Sequence, residues 1–150
     1  MQTFMTASDF RQTARELDYR RLGKQRVEAK QILMCLLGEG CERWANHPAV
    51  KMWRGYESVL AWYGLTMCQE WVKRGYKDNL GPYFLKRISS KPVPNPEWST
   101  DAAFLSSHRA CLLAKNYEHY SQFGWTETPA PVPGKKEKWA YVWPTSSASL

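Results

Sequence analysis

Between Tyr19 and Leu37 the apolar residues Leu22, Ala29, Ile32, Leu33, Leu36 and Leu37 recur at the three- and four-residue steps of a helix. No strand-length alternation of apolar and polar residues stands out anywhere in the chain. A long amphipathic run without strand patterning predicts an all-α fold. At 150 residues, 43% of them hydrophobic, the chain suits a single compact helical domain around one core.

Local signals set the expected elements. Ser8 or Asp9 caps a short helix running through Asp18, with Phe10, Ala14 and Leu17 on one side. The second helix covers Tyr19 to Leu37, and Gly38 and Gly40 stop it. Asn46 caps a third helix, with Pro48 in its first turn, that continues to Arg74 and closes at Gly75. A continuous helix of that length spans ~40 Å, so it is expected to be the long central element, although Gly55 and Gly64 lie inside it. Residues 89–100 read as a Pro- and Ser-rich loop. Thr100 caps a fourth helix, Asp101 to about Asn116, and a helical turn follows at Tyr117–Phe123. The helical domain is therefore expected over residues 1–125. From Thr126, prolines 129, 131 and 133 and the aromatic run WAYVWP predict an extended tail over 126–150, packed on the domain or trailing from it. Residues 1–7 read as short, mixed and extended.

Trp44, Trp53, Trp62 and Trp71 fall nine residues apart. Nine residues turn a helix by about two and a half turns, which predicts Trp53 and Trp71 in the core and Trp62 near the surface. The eight Trp, eight Tyr and five Phe exceed what a minimal core needs, so some rings are expected on a binding surface.

The net charge is +7 and the pI about 9.3, which favours a polyanionic partner over a membrane surface. No segment approaches the ~20 apolar residues of a membrane span. The N-terminal decapeptide lacks the apolar run of a signal peptide, so a cytoplasmic protein is expected, nucleoid-associated or made in a phage-infected cell. Cys35, Cys41, Cys68 and Cys111 form no CxxC pair, and His47, His108 and His119 show no HxxxH spacing. No metal site or cofactor is expected, and the thiols are expected to be reduced.

Residues 11–30 hold seven basic and three acidic side chains. Within them Arg21, Lys24, Gln25, Glu28 and Gln31 follow steps of three and four and share one helix face, taken as unburied, opposite Leu22, Ala29 and Leu33. One carboxylate thus stands among cations. A plain Lys24–Glu28 pair accounts for it at roughly 0.2–0.5 kcal/mol. The alternative is that the cations hold phosphates while Glu28 moves protons or stabilises positive charge at a sugar. A second basic region, Lys73, Arg74, Lys77, Lys86, Arg87 and Lys91 with Tyr76, Tyr83 and Phe84, suits either an unstacked strand or a solvated surface. His47 opens the third helix, and a face carrying His108, Lys115 and Arg109 is a candidate cleft wall.

The ordered runs RLGKQRVEAKQIL, NHPAVKMWRGYE, EWVKRGY, SHRACLL and HYSQFGW resemble the pyrimidine-dimer DNA glycosylases, the endonuclease V type of phage and bacteria. The resemblance covers residues 1 to about 125 and is stronger to bacterial members than to the well-studied phage enzyme. It implies an all-helical domain that releases a damaged pyrimidine and nicks the strand by β-elimination. It further implies an N-terminal α-amine as nucleophile and Glu28 as the essential carboxylate, with His47 opening the long helix. Because Gln2 is large, Met1 is expected to remain, so Met1 carries the amine, or Gln2 if Met1 is removed. Arg21, Lys24, Arg26, His47, His108 and Arg109 are the expected DNA-binding set. Val27 stands where many members have Arg, with Arg26 one step further away. The implied partner is double-stranded DNA with a flipped nucleotide, and no obligatory protein partner or membrane is expected. A non-catalytic nucleic-acid-binding module and a protein-interaction domain docking through Trp62 and the tail are the alternatives.

Overall fold

The computed structural model describes residues 1–144; the last six positions of the expected tail lie outside the described residues. Seven α-helices are present among them, with no strand: α1 (Phe10–Glu16), α2 (Tyr19–Leu36), α3 (Pro48–Lys51), α4 (Glu57–Lys73), α5 (Gly81–Leu85), α6 (Ala102–Lys115) and α7 (Tyr117–Tyr120). Short 3-10 turns occupy Glu42–Trp44, Glu97–Thr100 and Ser121–Phe123. The all-α expectation holds.

The helix starts follow local chemistry. Asp9 accepts the Arg11 N–H at 2.9 Å and Asp101 accepts that of Ala103 at 2.9 Å, so Asp101 rather than Thr100 caps α6. The expected long central helix is two helices. His47, not Asn46, caps α3 through Nδ1, which accepts the Ala49 N–H at 3.0 Å. Four residues later the chain leaves the helix and turns through Gly55 at φ +88°, a left-handed conformation that a side chain resists. α4 then starts afresh at Glu57 and spans only about 25 Å. Trp53 lies in the bend, fully buried, and Trp62 is exposed, but Trp71, expected in the core, is only half-buried, because the break at Gly55 ends the common helical phase and the ring lies at the edge of the α2–α4 contact, between Gly23 and Arg26.

α2 and α4 form the main packing pair, with α1 and α5 against α4. Two glycines permit the closest approaches. A Cβ at Gly64 would stand 2.3 Å from the Phe84 ring of α5, and one at Gly23 would stand 2.9 Å from the Trp71 ring.

The N-terminal segment is the least expected feature. Gln2 to Thr6 are all buried, running extended through the helical core. An extended segment inside helices has no ladder, yet its polar groups need partners. Side chains supply them. Gln25 Oε1 accepts the Phe4 N–H at 3.0 Å, His108 Nδ1 accepts the Met5 N–H at 2.9 Å, and Thr13 Oγ1 accepts the Thr6 N–H at 3.2 Å. Gln25 Nε2, the Tyr63 hydroxyl and Arg109 donate to the carbonyls of Gln2, Phe4 and Thr6 at 3.0, 2.7 and 2.9 Å. The Trp53 indole donates to Thr3 Oγ1 at 3.0 Å.

Residues 126–144 form no helix, as expected, and lie against α6. Ala130 N–H donates to the Ala110 carbonyl and Val142 N–H to Ser107 Oγ, each at 3.0 Å. The Tyr141 ring packs edge-on to Phe4 and His108.

Candidate active site

The buried N-terminal segment ends at a cavity of about 870 Å³. Met1, Gln2 and Phe4 form its floor, and Tyr19, Arg20, Arg21, Lys24 and Glu28 of α2 form one wall. His47 enters from the α3 cap, and Lys115, Asn116 and His119 come from the α6–α7 junction. Glu137, Lys138, Trp139, Tyr141 and Trp143 of the tail close the remaining side. Arg20, Arg21, Lys24, Lys115, Lys138 and the Met1 amine outnumber Asp18, Glu28 and Glu137. The cavity is therefore cationic with an aromatic side, suited to an anion that carries a flat ring.

Gln25 is the junction that builds this site. It is 1% exposed, and its amide makes four hydrogen bonds. Oε1 accepts from Phe4 N–H and, at 2.7 Å, shares the single Tyr63 hydroxyl proton with the Phe4 carbonyl; Nε2 donates to the Gln2 carbonyl and to Glu28 Oε2 at 3.0 Å. One buried side chain thus fixes both the N-terminal segment and the carboxylate beside it. The sequence reading set Gln25 and Glu28 on an unburied face. Gln25 is instead interior, because the N-terminal segment covers that side of α2, and the Glu28 side chain keeps only 13% of its surface.

Burial raises the Glu28 carboxyl above its ordinary value, against the Met1 ammonium, Lys24 at 3.9 Å, the Gln2 N–H and the Gln25 amide, which favour the charged form. A carboxylate tuned this way is a stronger base than a solvated one. Burial, then the Met1 ammonium and Lys138, push His47 below its ordinary value. Its Nδ1 accepts from Ala49, so the neutral ring carries its proton on Nε2, with Trp44 and Trp143 edge-on at 5.8 and 6.1 Å. Burial, with Arg21 and Lys24 adding to it, lowers Lys115, which lies over the Trp139 ring at 4.2 Å. Asp18 stays below the usual carboxylate range. Burial works against this, but the Tyr120 hydroxyl and Arg21, at 3.3 Å, prevail.

Of the residues named from sequence, Met1, Gln2, Arg21, Lys24, Glu28 and His47 meet at this cavity. Arg26, His108 and Arg109 do not. Arg26 points to the opposite side of α2, bonded to Asp78 at 2.8 Å and stacked over Trp71 at 4.8 Å. His108 is wholly buried, and burial pushes it down to about 3, so it is the neutral acceptor for Met5. Arg109 pairs with Glu127 at 2.8 Å and holds the Thr6 carbonyl. His108 and Arg109 therefore secure the segment that carries Met1, and Lys115 is the member of their helix that reaches the cavity. The second basic region is partly structural: Arg74 binds Glu70 and the carbonyls ending α1, Arg87 pairs with Glu39 and lies 3.6 Å from the Tyr83 ring centre, and Phe84 is buried.

Sequence reasoning missed Tyr19, Arg20, Asn116, His119 and the tail residues. For the tail a signal was present. Trp139, Tyr141 and Trp143 alternate with Ala140 and Val142, a period of two that sets three rings on one side of an extended segment. Among the described residues no three His, Cys, Asp or Glu side chains converge as a metal site would require, and no helix is long and apolar enough to cross a membrane.

The family model described as pyrimidine dimer DNA glycosylase matches residues 1–81, and the chain belongs to that family. At the level of the family this makes it a DNA-repair glycosylase with DNA as its substrate. The matched span contains Met1, Gln2, Arg21, Lys24, Glu28 and His47. No curated protein and no solved structure matches the chain.

Proposed function

We propose that this protein excises a damaged or modified pyrimidine from duplex DNA and then nicks the strand through a Schiff base on its N-terminal amine. The observation that carries the reading is the convergence of the Met1 terminus with the raised, buried Glu28 in a cationic cavity.

The chemistry follows from those groups. The neutral amine attacks the sugar C1′ as the glycosidic bond breaks, and the base leaves with the bonding pair. Glu28 takes the proton that the attacking ammonium sheds and passes it to the ring oxygen as the sugar opens to an imine. A base then removes a C2′ proton, and the 3′ phosphate leaves by β-elimination. Water hydrolyses the imine and frees the amine. Arg21, Lys24 and Lys115 hold the flanking phosphates, and a cavity of about 870 Å³ accommodates a nucleotide turned out of the stack. Trp139, Tyr141 and Trp143 offer faces and edges to its base.

The test is a panel of damaged and modified duplexes scored for base release and nicking, with Glu28→Gln as control. Turnover lost in the variant with binding kept supports the reading. Base release without borohydride trapping indicates a glycosylase lacking the lyase step. Binding without turnover in the wild type overturns catalysis and leaves a DNA-binding module.

A further inference from the structure

Gln2 is 7% exposed and lines the cavity floor, next along the chain to the Met1 amine. Its Oε1 accepts the Thr3 N–H at 2.8 Å. That bond fixes the orientation of the amide, because a flipped amide would set two donors against each other. Nε2 is then the free end, buried and without a hydrogen-bond partner. The Tyr141 hydroxyl lies close to it, outside hydrogen-bond geometry. A buried donor without an acceptor is rare in a folded protein and calls for a ligand or a catalytic duty.

The position narrows the acceptor. Arg21, Lys24 and Lys115 already serve phosphate, whereas Gln2 is a neutral donor one residue from the nucleophile, about 3.8 Å between Cα atoms. An amine attacking C1′ in line stands across that one carbon from the glycosidic nitrogen, so a side chain one residue along reaches the base. The base oxygen nearest to that nitrogen is the O2 carbonyl, which every pyrimidine carries. As the glycosidic bond breaks, its electron pair enters the ring and spreads onto O2. A hydrogen bond there strengthens as charge develops and so lowers the barrier.

Resting on the glycosylase reading above, we infer that the Gln2 side-chain amide is the leaving-group donor of this site, bonding the O2 carbonyl of the extruded pyrimidine. No proton need transfer. The base departs as an anion stabilised at O2 and takes its proton from water after release. Because O2 is common to all pyrimidines, Gln2 promotes departure of the base without selecting among them.

Two variants isolate the donor. Gln2→Met keeps a large second residue, so Met1 is retained, and removes the amide. Gln2→Glu keeps the oxygen that accepts from Thr3 and exchanges the donor for a charged acceptor, and Gln2→Met controls for the added charge. For each, single-turnover base release is measured on duplexes carrying a thymine dimer, uracil or 5-hydroxymethyluracil, and borohydride trapping on an abasic duplex, which has no base to expel. The ratio of base release to abasic trapping should fall roughly tenfold or more in both variants, in the rate rather than in KM. The loss should shrink when 5-fluorouracil, a better leaving group, replaces uracil. An unchanged ratio in either variant overturns the inference, since a structural defect lowers both activities together. Wild-type protein that traps abasic duplex but releases no pyrimidine also overturns it. Absence of trapping with base release intact overturns the amine mechanism alone; base release that still falls roughly tenfold in both Gln2 variants then supports the donor, and unchanged release overturns it.

Discussion

Replacing Gln25 by Met removes four hydrogen bonds from the centre of the site while keeping side-chain length. The Tyr63 hydroxyl still donates to the Phe4 carbonyl at 2.7 Å, and Glu28 keeps Lys24 nearby. The Phe4 N–H and the Gln2 carbonyl lose the Gln25 partners they hold at 3.0 Å. Each buried backbone group left unpaired costs about 1–3 kcal/mol, so a loss of about 3 kcal/mol is expected. For a chain of this size that lowers Tm by about 10 °C. The segment carrying Met1 also loses its alignment with Glu28, and a misplacement near 1 Å costs on the order of 100-fold in rate. Thermal denaturation reads the first effect, and trapping on an abasic duplex, well below the variant's Tm, reads the second. A variant within 2 °C of wild type (roughly half a kcal/mol by the same scaling) with undiminished trapping would refute Gln25 as the junction.

Other perturbations separate structural from functional charges. His108 sits near 3 in the fold against an ordinary 6.5, so its stabilising neutral form is fully present above pH 6.5 and is lost as pH falls towards 3. Urea unfolding should show about 2 kcal/mol less stability at pH 5 than at pH 7 from this group, and His108→Gln should flatten the difference. Gly64→Ala places a methyl group against the buried Phe84 ring and should cost about 1–3 kcal/mol by thermal denaturation. Arg26→Ala leaves Asp78 unpaired and should destabilise by about 3 kcal/mol without changing the salt slope of DNA binding. Lys24→Ala, by contrast, should reduce that slope by about one with little loss of stability.

The fold was legible where its causes are local. The Asp9 cap, the α2 stripe and the stop at Gly38 are set by neighbours within a turn, and each was found. Gly55 was visible as a weak point, but helix spacing continues on both sides of it and hid the bend. The burial of residues 2–6 was not legible, because His108 and Arg109 act across 103 positions and nothing in MQTFMT announces them. The same distance explains the site. Glu28, Arg21 and Lys24 share a helix face and were found together, whereas Arg26 reads as one more cation until Asp78, 52 positions away, claims it. The tail rings carried a period-two signal that composition alone obscured.

The central claim is that the N-terminal amine and Glu28 work as a pair on a sugar carbon. It is tested most directly by reducing the protein with borohydride on an abasic duplex, digesting the adduct and mapping it by mass spectrometry. The sugar should be found on the α-amine of the N-terminal peptide in wild type, with a loss on the order of 100-fold or more in Glu28→Gln. An adduct on a lysine, or one formed equally by Glu28→Gln, contradicts it.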